Sequence, residues 1–518
     1  MSGAEPATRR TVLKGGLIGS GLLATPAFGQ SRTPYVGGYE GIRQAGVNAF
    51  LGIRYATAER FARPVRLPFA SEATPAKEFG PICPQRGNLD EPASEDCLFL
   101  NVWTPDLNTA AKKPVMVYFH GGAYNGGTVT DPVTHGQHLA EQGDVVVVSV
   151  NQRLNVFGYP WLAPFDLRYA DSGNLGQLDL IAALEWVRDH ATKFGGDPSR
   201  VMVFGQSGGG AKIATLMAMP AAKGLFHSAT TMSGQQVTAS GPTNALKRIT
   251  AFFEQVGVPL GDVDGLTALS TEQMVAGLDA TDPVLGGSLY FGPVLDMVNL
   301  PRHPFWPDAA PQSLSIPMIL GNTTDETRAF IDPEGPVLQG IDWSNIAERI
   351  RPNIKIDLRP DYVVQQYRRH FPGWSPERVF YAATTDGRSW PGQFIEADER
   401  AKAGAEQTWV YQLDRESPID PRRGAAHTDD LPYVFGTLDA PGSYSGTGSR
   451  ARQISAAMIK AFTGLARTGT PGLPGWTPYT LPDRATLMVA EDRIAMKNDP
   501  RGWQREMWST APYIQPGI

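Results

Sequence analysis

A serine framed by glycines stands in Phe204-Gly205-Gln206-Ser207-Gly208-Gly209-Gly210, after the apolar run Val201-Met202-Val203-Phe204 and before an apolar helical stretch from Lys212 to Met219. The pattern is G-x-S-x-G at Gly205, Ser207 and Gly209. A chain that reverses between a strand and a helix holds the turning serine in a strained conformation, and only flanking glycines leave room for it. The hydroxyl then stands above the sheet edge, with the first N–H groups of a helix behind it. Glycine accounts for 56 of the 518 residues, so the bare match is weak. Its place at a strand-to-helix junction gives it weight, and the chemistry it predicts is attack on an acyl carbon.

A neutral serine is a poor nucleophile, so a base must take its proton, and histidine is the usual choice. The chain has eight histidines. In this kind of elbow the partners follow in the order serine, acid, histidine. That leaves His303, His370 and His427. His303 precedes the best acid candidates. His370 ends the polar helical stretch Gln365-Gln366-Tyr367-Arg368-Arg369, where a solvated helix end is the natural reading. His427 lies in the loop Gly424-Ala425-Ala426-His427-Thr428, just after a strand, and loops beyond strand ends carry catalytic groups in open sheets. His427 is therefore the expected base. The acid is expected in Gly321-Asn322-Thr323-Thr324-Asp325-Glu326, after the run Ile316 to Leu320. Asp325 and Glu326 both fit, either one orienting the imidazole and stabilising its charged form.

Attack on an acyl carbon builds charge on its oxygen, and each fixed donor there can lower the barrier by about 2.7–4 kcal/mol. His120-Gly121-Gly122-Ala123 follows the run Val115 to Phe119 and offers the N–H groups of Gly121 and Gly122, with Gly208 as a third donor. This chemistry needs neither a metal nor an organic cofactor. His135 and His138 with Glu141 lack the H-E-x-x-H arrangement and read as a surface helix. Asp429 and Asp430 read as a solvated loop, and the larger tryptophans as core or pocket wall.

The elements that must position these groups are legible as short apolar runs alternating with helical periodicity. Val115 to Phe119, Asp144 to Val150, Val201 to Phe204, Ile316 to Leu320 and Trp409 to Leu413 read as strands. Asn174 to Phe194 carries apolar residues at helical spacing and stops at Gly195-Gly196. The alternation predicts an α/β protein with a large, mostly parallel, twisted sheet covered on both faces. Pro- and Gly-rich stretches at 32–43, 301–312, 416–424 and 439–449 read as surface loops. Residues 235–300 and 330–400 read as helical insertions over the top of one large catalytic domain.

Composition narrows the rest. Hydrophobic residues make up 42%, enough for a sizeable core and too many for a disordered chain. With 46 Lys+Arg against 52 Asp+Glu, the chain lacks the basic footprint of a nucleic-acid binder. Residues 1–29 read as an export signal: Arg9-Arg10 resembles the twin-arginine motif, an apolar stretch runs from Gly15 to about Ala27, and Ala27-Phe28-Gly29 offers a cleavage site near Gly29/Gln30. This predicts a periplasmic or secreted protein with no membrane span in the mature chain, residues 30–518. An oxidising compartment permits Cys83 to pair with Cys97.

Taken together, these blocks resemble the type-B carboxylesterase family, which includes bacterial p-nitrobenzyl-type esterases and the cholinesterases. Phe50-Leu51-Gly52-Ile53-Arg54-Tyr55-Ala56 is similar to its N-terminal block, with Arg54 in place of proline. Ser94 to Val102, Asn151 to Gly158, Phe194 to Pro198, Ala222 to Phe226 and Met232-Ser233-Gly234 match further blocks, so the likeness runs from about residue 35 to 515. It implies an α/β-hydrolase fold with helical insertions over the active site. It also implies a Ser207-Glu326-His427 triad supported by Ser233, a Cys83–Cys97 disulfide, and hydrolysis of a small-molecule carboxylic ester. An amide, carbamate or thioester is the alternative substrate. Some members are adhesion proteins whose triad has decayed, whereas all three residues are present here. Four positions depart from the family pattern: Gln206 replaces an acid, Gly208 an alanine, Ala123 an aromatic and Thr327 a glycine. No counterpart of the cholinesterase cation-binding tryptophan can be placed, so choline esters are not favoured.

Overall fold

The apolar runs alternate their side chains between two cores. Val115, Val117, Val201 and Val203 join one buried cluster, and Met116, Tyr118, Met202 and Phe204 join another. A strand whose residues are buried on both faces must lie inside a covered sheet. The computed structural model describes residues 33–87 and 91–513, so the export-signal reading lies outside the described residues.

Among the described residues, eleven strands form one sheet. In chain order they are β1 (Ile42–Gln44), β2 (Val47–Arg54), β3 (Phe99–Thr104), β4 (Lys113–Phe119), β5 (Val146–Val150), β6 (Gly196–Gln206), β7 (Ser228–Met232), β8 (Met318–Thr323), β9 (Thr408–Leu413), β10 (Ala485–Val489) and β11 (Ile494–Asn498). Across the sheet the order is β11-β10-β9-β8-β7-β6-β4-β5-β3-β2-β1. The strands from β10 through β5 run parallel, and both edges turn antiparallel. Succession reverses at β4: β5 lies on one side of it and β6 on the other. Loops leaving the carboxyl ends of these two strands diverge and open a crevice, the usual ligand position in such sheets.

Helix α1 (Leu175–His190) and helix α2 (Gly208–Leu216) cover one face, together with α4 (Trp390–Lys402); α5 (Ser449–Thr468) covers the other. The helix expected over Asn174 to Phe194 ends as an α-helix at His190 and tightens into a 3₁₀ turn, Ala191–Phe194. Gly195 closes it at φ 81°, a left-handed value that favours glycine.

Three expectations change. The stretch 32–43 is not loop throughout, because Tyr35–Val36, Tyr39–Glu40 and β1 pair there. The 330–400 region divides: its early part and helix α3 (Pro376–Arg388) form a small core of their own with Met507 and Trp508, while α4 packs on β8 and β9. Cys83 and Cys97 are two free, buried thiols, so the expected disulfide is not formed in the structure. Cys83 lies near enough to Cys97 to push its thiol up together with burial, and Cys83 Sγ accepts the Leu154 N–H at 3.2 Å.

Candidate active site

Ser207 sits where β6 ends and α2 begins, at φ 55° and ψ −126°. Few residues other than glycine adopt that region, and the surroundings must hold it there. The Ser207 N–H donates to the Met232 carbonyl at 2.7 Å, which ties the elbow to the end of β7. A Cβ on Gly209 would run into the Phe119 carbonyl oxygen, and one on Gly208 into the backbone of Ala123. The elbow and the loop after β4 therefore touch backbone to backbone.

That loop carries Gly121 and Gly122. A Cβ built on Gly121 would lie 3.3 Å from Ser207 Cβ, so the glycine borders the serine directly. Among the described residues, neither the Gly121 nor the Gly122 N–H has an acceptor. The Gly122 carbonyl accepts from Asn125 and Gly126 at 3.2 and 3.0 Å, which closes the loop as a tight turn. Ser207 and Gly121 are half-buried and Gly122 is exposed, so solvent reaches this corner.

The acid and the histidine meet from β8 and β9. His427 Nδ1 lies 2.5 Å from Glu326 Oε2, and the His427 N–H reaches the Glu326 carbonyl at 3.4 Å. Glu326 is fully buried; its other oxygen accepts from the Thr323 N–H at 2.8 Å and Asn322 Nδ2 at 3.2 Å. Burial pushes its carboxyl up, but attraction and hydrogen bonding from His427, with help from Ser233 and Thr323, outweigh burial and hold it below the usual glutamate value. Ser233 Oγ lies close enough to contribute but forms no hydrogen bond of ordinary geometry. Asp325 faces elsewhere: its carboxylate accepts the Ala425 N–H at 3.2 Å and stands 3.6 Å from Arg328. It fastens the histidine loop, while Glu326 reaches the imidazole.

A carboxylate on Nδ1 fixes that nitrogen as the N–H donor and leaves Nε2 as an acceptor. Nε2 meets Gln206 Nε2 at 3.1 Å, and Ser207 Oγ makes no hydrogen bond to it. The histidine loop is held by Asp429, which accepts from the Ala426 N–H at 2.9 Å and Arg423 Nε at 2.7 Å. Asp430 accepts from Tyr411 OH at 2.7 Å. Both aspartates are buried, contrary to the solvated loop expected of them. Burial pushes their carboxyls up, to about 6 and about 7 respectively. Phe330, half exposed, lies 4.8 Å from the imidazole ring and forms a wall beside it.

His303 and His370 are not in this site. His303 Nδ1 accepts the Ala239 N–H at 3.0 Å, and His370 stacks on Trp503 at 4.0 Å. Among the described residues no cluster of metal-ligating side chains exists, and His135 packs on Trp103.

A model of the carboxylesterase family matches residues 32–508. The chain belongs to that family. It is 33% identical to the para-nitrobenzyl esterase of Bacillus subtilis over 504 residues, covering 92% of this chain and 97% of the relative. It is 30% identical to a phenmedipham hydrolase of Pseudarthrobacter oxydans, covering 82% and 87%. Among solved structures, a carboxylesterase of Geobacillus stearothermophilus superposes with a TM-score of 0.78 at 31% identity, covering 91% of this chain and 98% of that one. The protein is a serine hydrolase of carboxylic esters with the α/β-hydrolase fold.

Sequence reasoning left three groups around the candidate site without a role. Asp430 was visible only as one of two adjacent acids. Phe330 carried no motif. Lys212 had a signal, a lone charge inside an otherwise apolar helix, but it was read as the helix's start.

Proposed function

We propose that Ser207 is the nucleophile, His427 its base, Glu326 the acid that orients the imidazole and stabilises the imidazolium formed when it takes the serine proton, and Gly121, Gly122 and Gly208 the oxyanion donors, with Ser233 supporting Glu326. The observation that carries this reading is the buried 2.5 Å contact between His427 and Glu326 at the same sheet edge as the strained Ser207. In the resting state Gln206 holds Nε2, so its amide must yield that nitrogen when substrate arrives. Catalytic hydrogen bonds are often loose before substrate binds. His427 then takes the Ser207 proton as Oγ bonds to the acyl carbon, and the carbonyl oxygen becomes the oxyanion. His427 returns the proton to the leaving alcohol as the C–O bond breaks, and water repeats both steps on the acyl-enzyme.

A fluorophosphonate probe tests the nucleophile. Ser207→Ala abolishes labelling; labelling that survives it refutes the assignment. Matched ester and amide substrates separate ester hydrolysis from the amide, carbamate or thioester alternative.

Export through the twin-arginine route is part of the same reading, supported by Arg9-Arg10 and the apolar stretch after them. In an oxidising compartment the neighbouring thiols of Cys83 and Cys97 would close. Unchanged export of a double Arg9→Lys, Arg10→Lys variant would refute the route.

A further inference from the structure

One fully buried cation has no part in the chemistry above. Lys212 lies on α2, five residues after Ser207, and is 0% exposed. Among the described residues it has no ion-pair partner. Burial alone drives its pKa down, with no carboxylate to offset the effect. An unpaired buried ammonium is among the most expensive groups a core can hold, and a neighbour such as Ile213 shows that the helix accepts an apolar side chain there.

Its contacts indicate what the lysine does. Lys212 Nζ donates to the His120 carbonyl oxygen at 2.9 Å. With the Gln152 amide in the orientation that satisfies its neighbours, its oxygen would accept from Nζ at 3.3 Å and from His120 Nε2 at 3.0 Å. The other groups facing it are the His120 imidazole, kept neutral by burial and by the lysine's own charge, and the Tyr124 ring at 6.0 Å. The His120 carbonyl and the Gly121 N–H belong to one trans peptide unit. In such a unit the C=O and N–H point in opposite directions. A donor fixed on the oxygen therefore fixes the direction of the N–H. A cation on the oxygen also draws electrons along the amide and makes the N–H a stronger donor.

We infer that Lys212 is a positioning residue for the oxyanion hole: through the His120 carbonyl it aims and polarises the Gly121 N–H at the developing oxyanion. The inference rests on the proposed Ser207 nucleophile and adds a charged residue behind the donors. Charge that is preorganised, buried and aimed at the transition state is the kind that accelerates a reaction without tightening substrate binding.

The test compares the wild-type protein with Lys212→Met and Lys212→Gln, using an ester substrate and an alkyl trifluoromethyl ketone. Serine adds to that ketone, its proton passes to the base, and the ketone oxygen becomes a stable oxyanion. Lys212→Met should keep or raise the melting temperature, because it removes an unpaired buried charge. It should lower kcat by roughly 10–100-fold, less than the about 10²–10³ that a whole oxyanion donor is worth, with KM within about threefold. Ketone affinity should fall in parallel with kcat. Lys212→Gln, a neutral donor, should fall between the two. A kcat within about threefold of wild type in Lys212→Met, or ketone binding that does not follow kcat, overturns the role of Lys212 alone. Failure of a fluorophosphonate to label Ser207 in the wild-type protein overturns the nucleophile and this inference with it.

Discussion

At the scale of single residues, the departures from the family pattern are coupled to one another. Gly208 stands where relatives of the family carry alanine, and Ala123 stands where they carry an aromatic. The structure places these two positions backbone against backbone, with Ala123 itself at φ 54°. The smaller residue after the serine lets the loop after β4 settle onto the elbow. Restoring the family residue should therefore do harm. A Cβ at position 208 would lie 2.2 Å from the Ala123 carbonyl oxygen, backbone that cannot swing aside like the end of a flexible side chain, so the loop must shift by about an ångström. Displacing donors by that much from an oxyanion site costs on the order of 10²-fold in rate. Gly208→Ala should lower kcat by about 10–100-fold while leaving the melting temperature within a few degrees. A fully active Gly208→Ala enzyme would mean that the loop is not fixed by this contact.

At the scale of elements, what was legible and what was not divide along physical lines. Strands β4, β5, β6, β8 and β9 each carry a short apolar run and could be located from it, because a strand buried on both faces leaves little polar alternation. Strand β7, Ser228-Ala229-Thr230-Thr231-Met232, escaped because its small polar residues are buried without being apolar. The choice between Asp325 and Glu326 was not open to spacing, since adjacent side chains diverge and only the turn decides which faces inward. That turn is fixed by Thr327, another departure from the family. Its hydroxyl lies 2.8 Å from Thr384 Oγ1 and 3.0 Å from Thr385 Oγ1 on α3, and its N–H donates to Thr385 Oγ1 at 3.2 Å. The acid turn is thus pinned to the inserted helices. Thr327→Val keeps the shape and removes the hydroxyl, so it should cost about 1–2 kcal/mol of stability, the worth of one or two buried hydrogen bonds. It should also lower kcat severalfold as Glu326 loosens. Denaturant melts and steady-state kinetics check both; unchanged values would sever α3 from the site.

At the scale of the whole molecule, groups from the ends of β4, β6, β7, β8 and β9 converge on one edge, and their convergence buries acids the ester chemistry does not itself require. Asp430 is fully buried, and its second oxygen has no partner. Burial lifts its carboxyl to about 7, against about 3.9 for a free aspartate. Between those two values the folded chain keeps a proton that the unfolded chain releases. The stability owed to this group therefore falls as pH rises from about 4 to about 7, and above 7 the full cost of the buried charge is present. Glu326, held low by His427, acts in the opposite sense, so the wild-type curve alone mixes the two. The difference between wild type and Asp430→Asn isolates Asp430. Asparagine keeps an oxygen for the Tyr411 hydroxyl and cannot ionise. Its melting temperature should match wild type near pH 4.5 and exceed it by roughly 1–3 °C at pH 8, the scale expected for one or two kcal/mol in a chain of this size. A lower melting temperature than wild type at pH 8 would mean that Asp430 is ionised and stabilising where it lies, paired through the histidine loop and not merely enclosed by it.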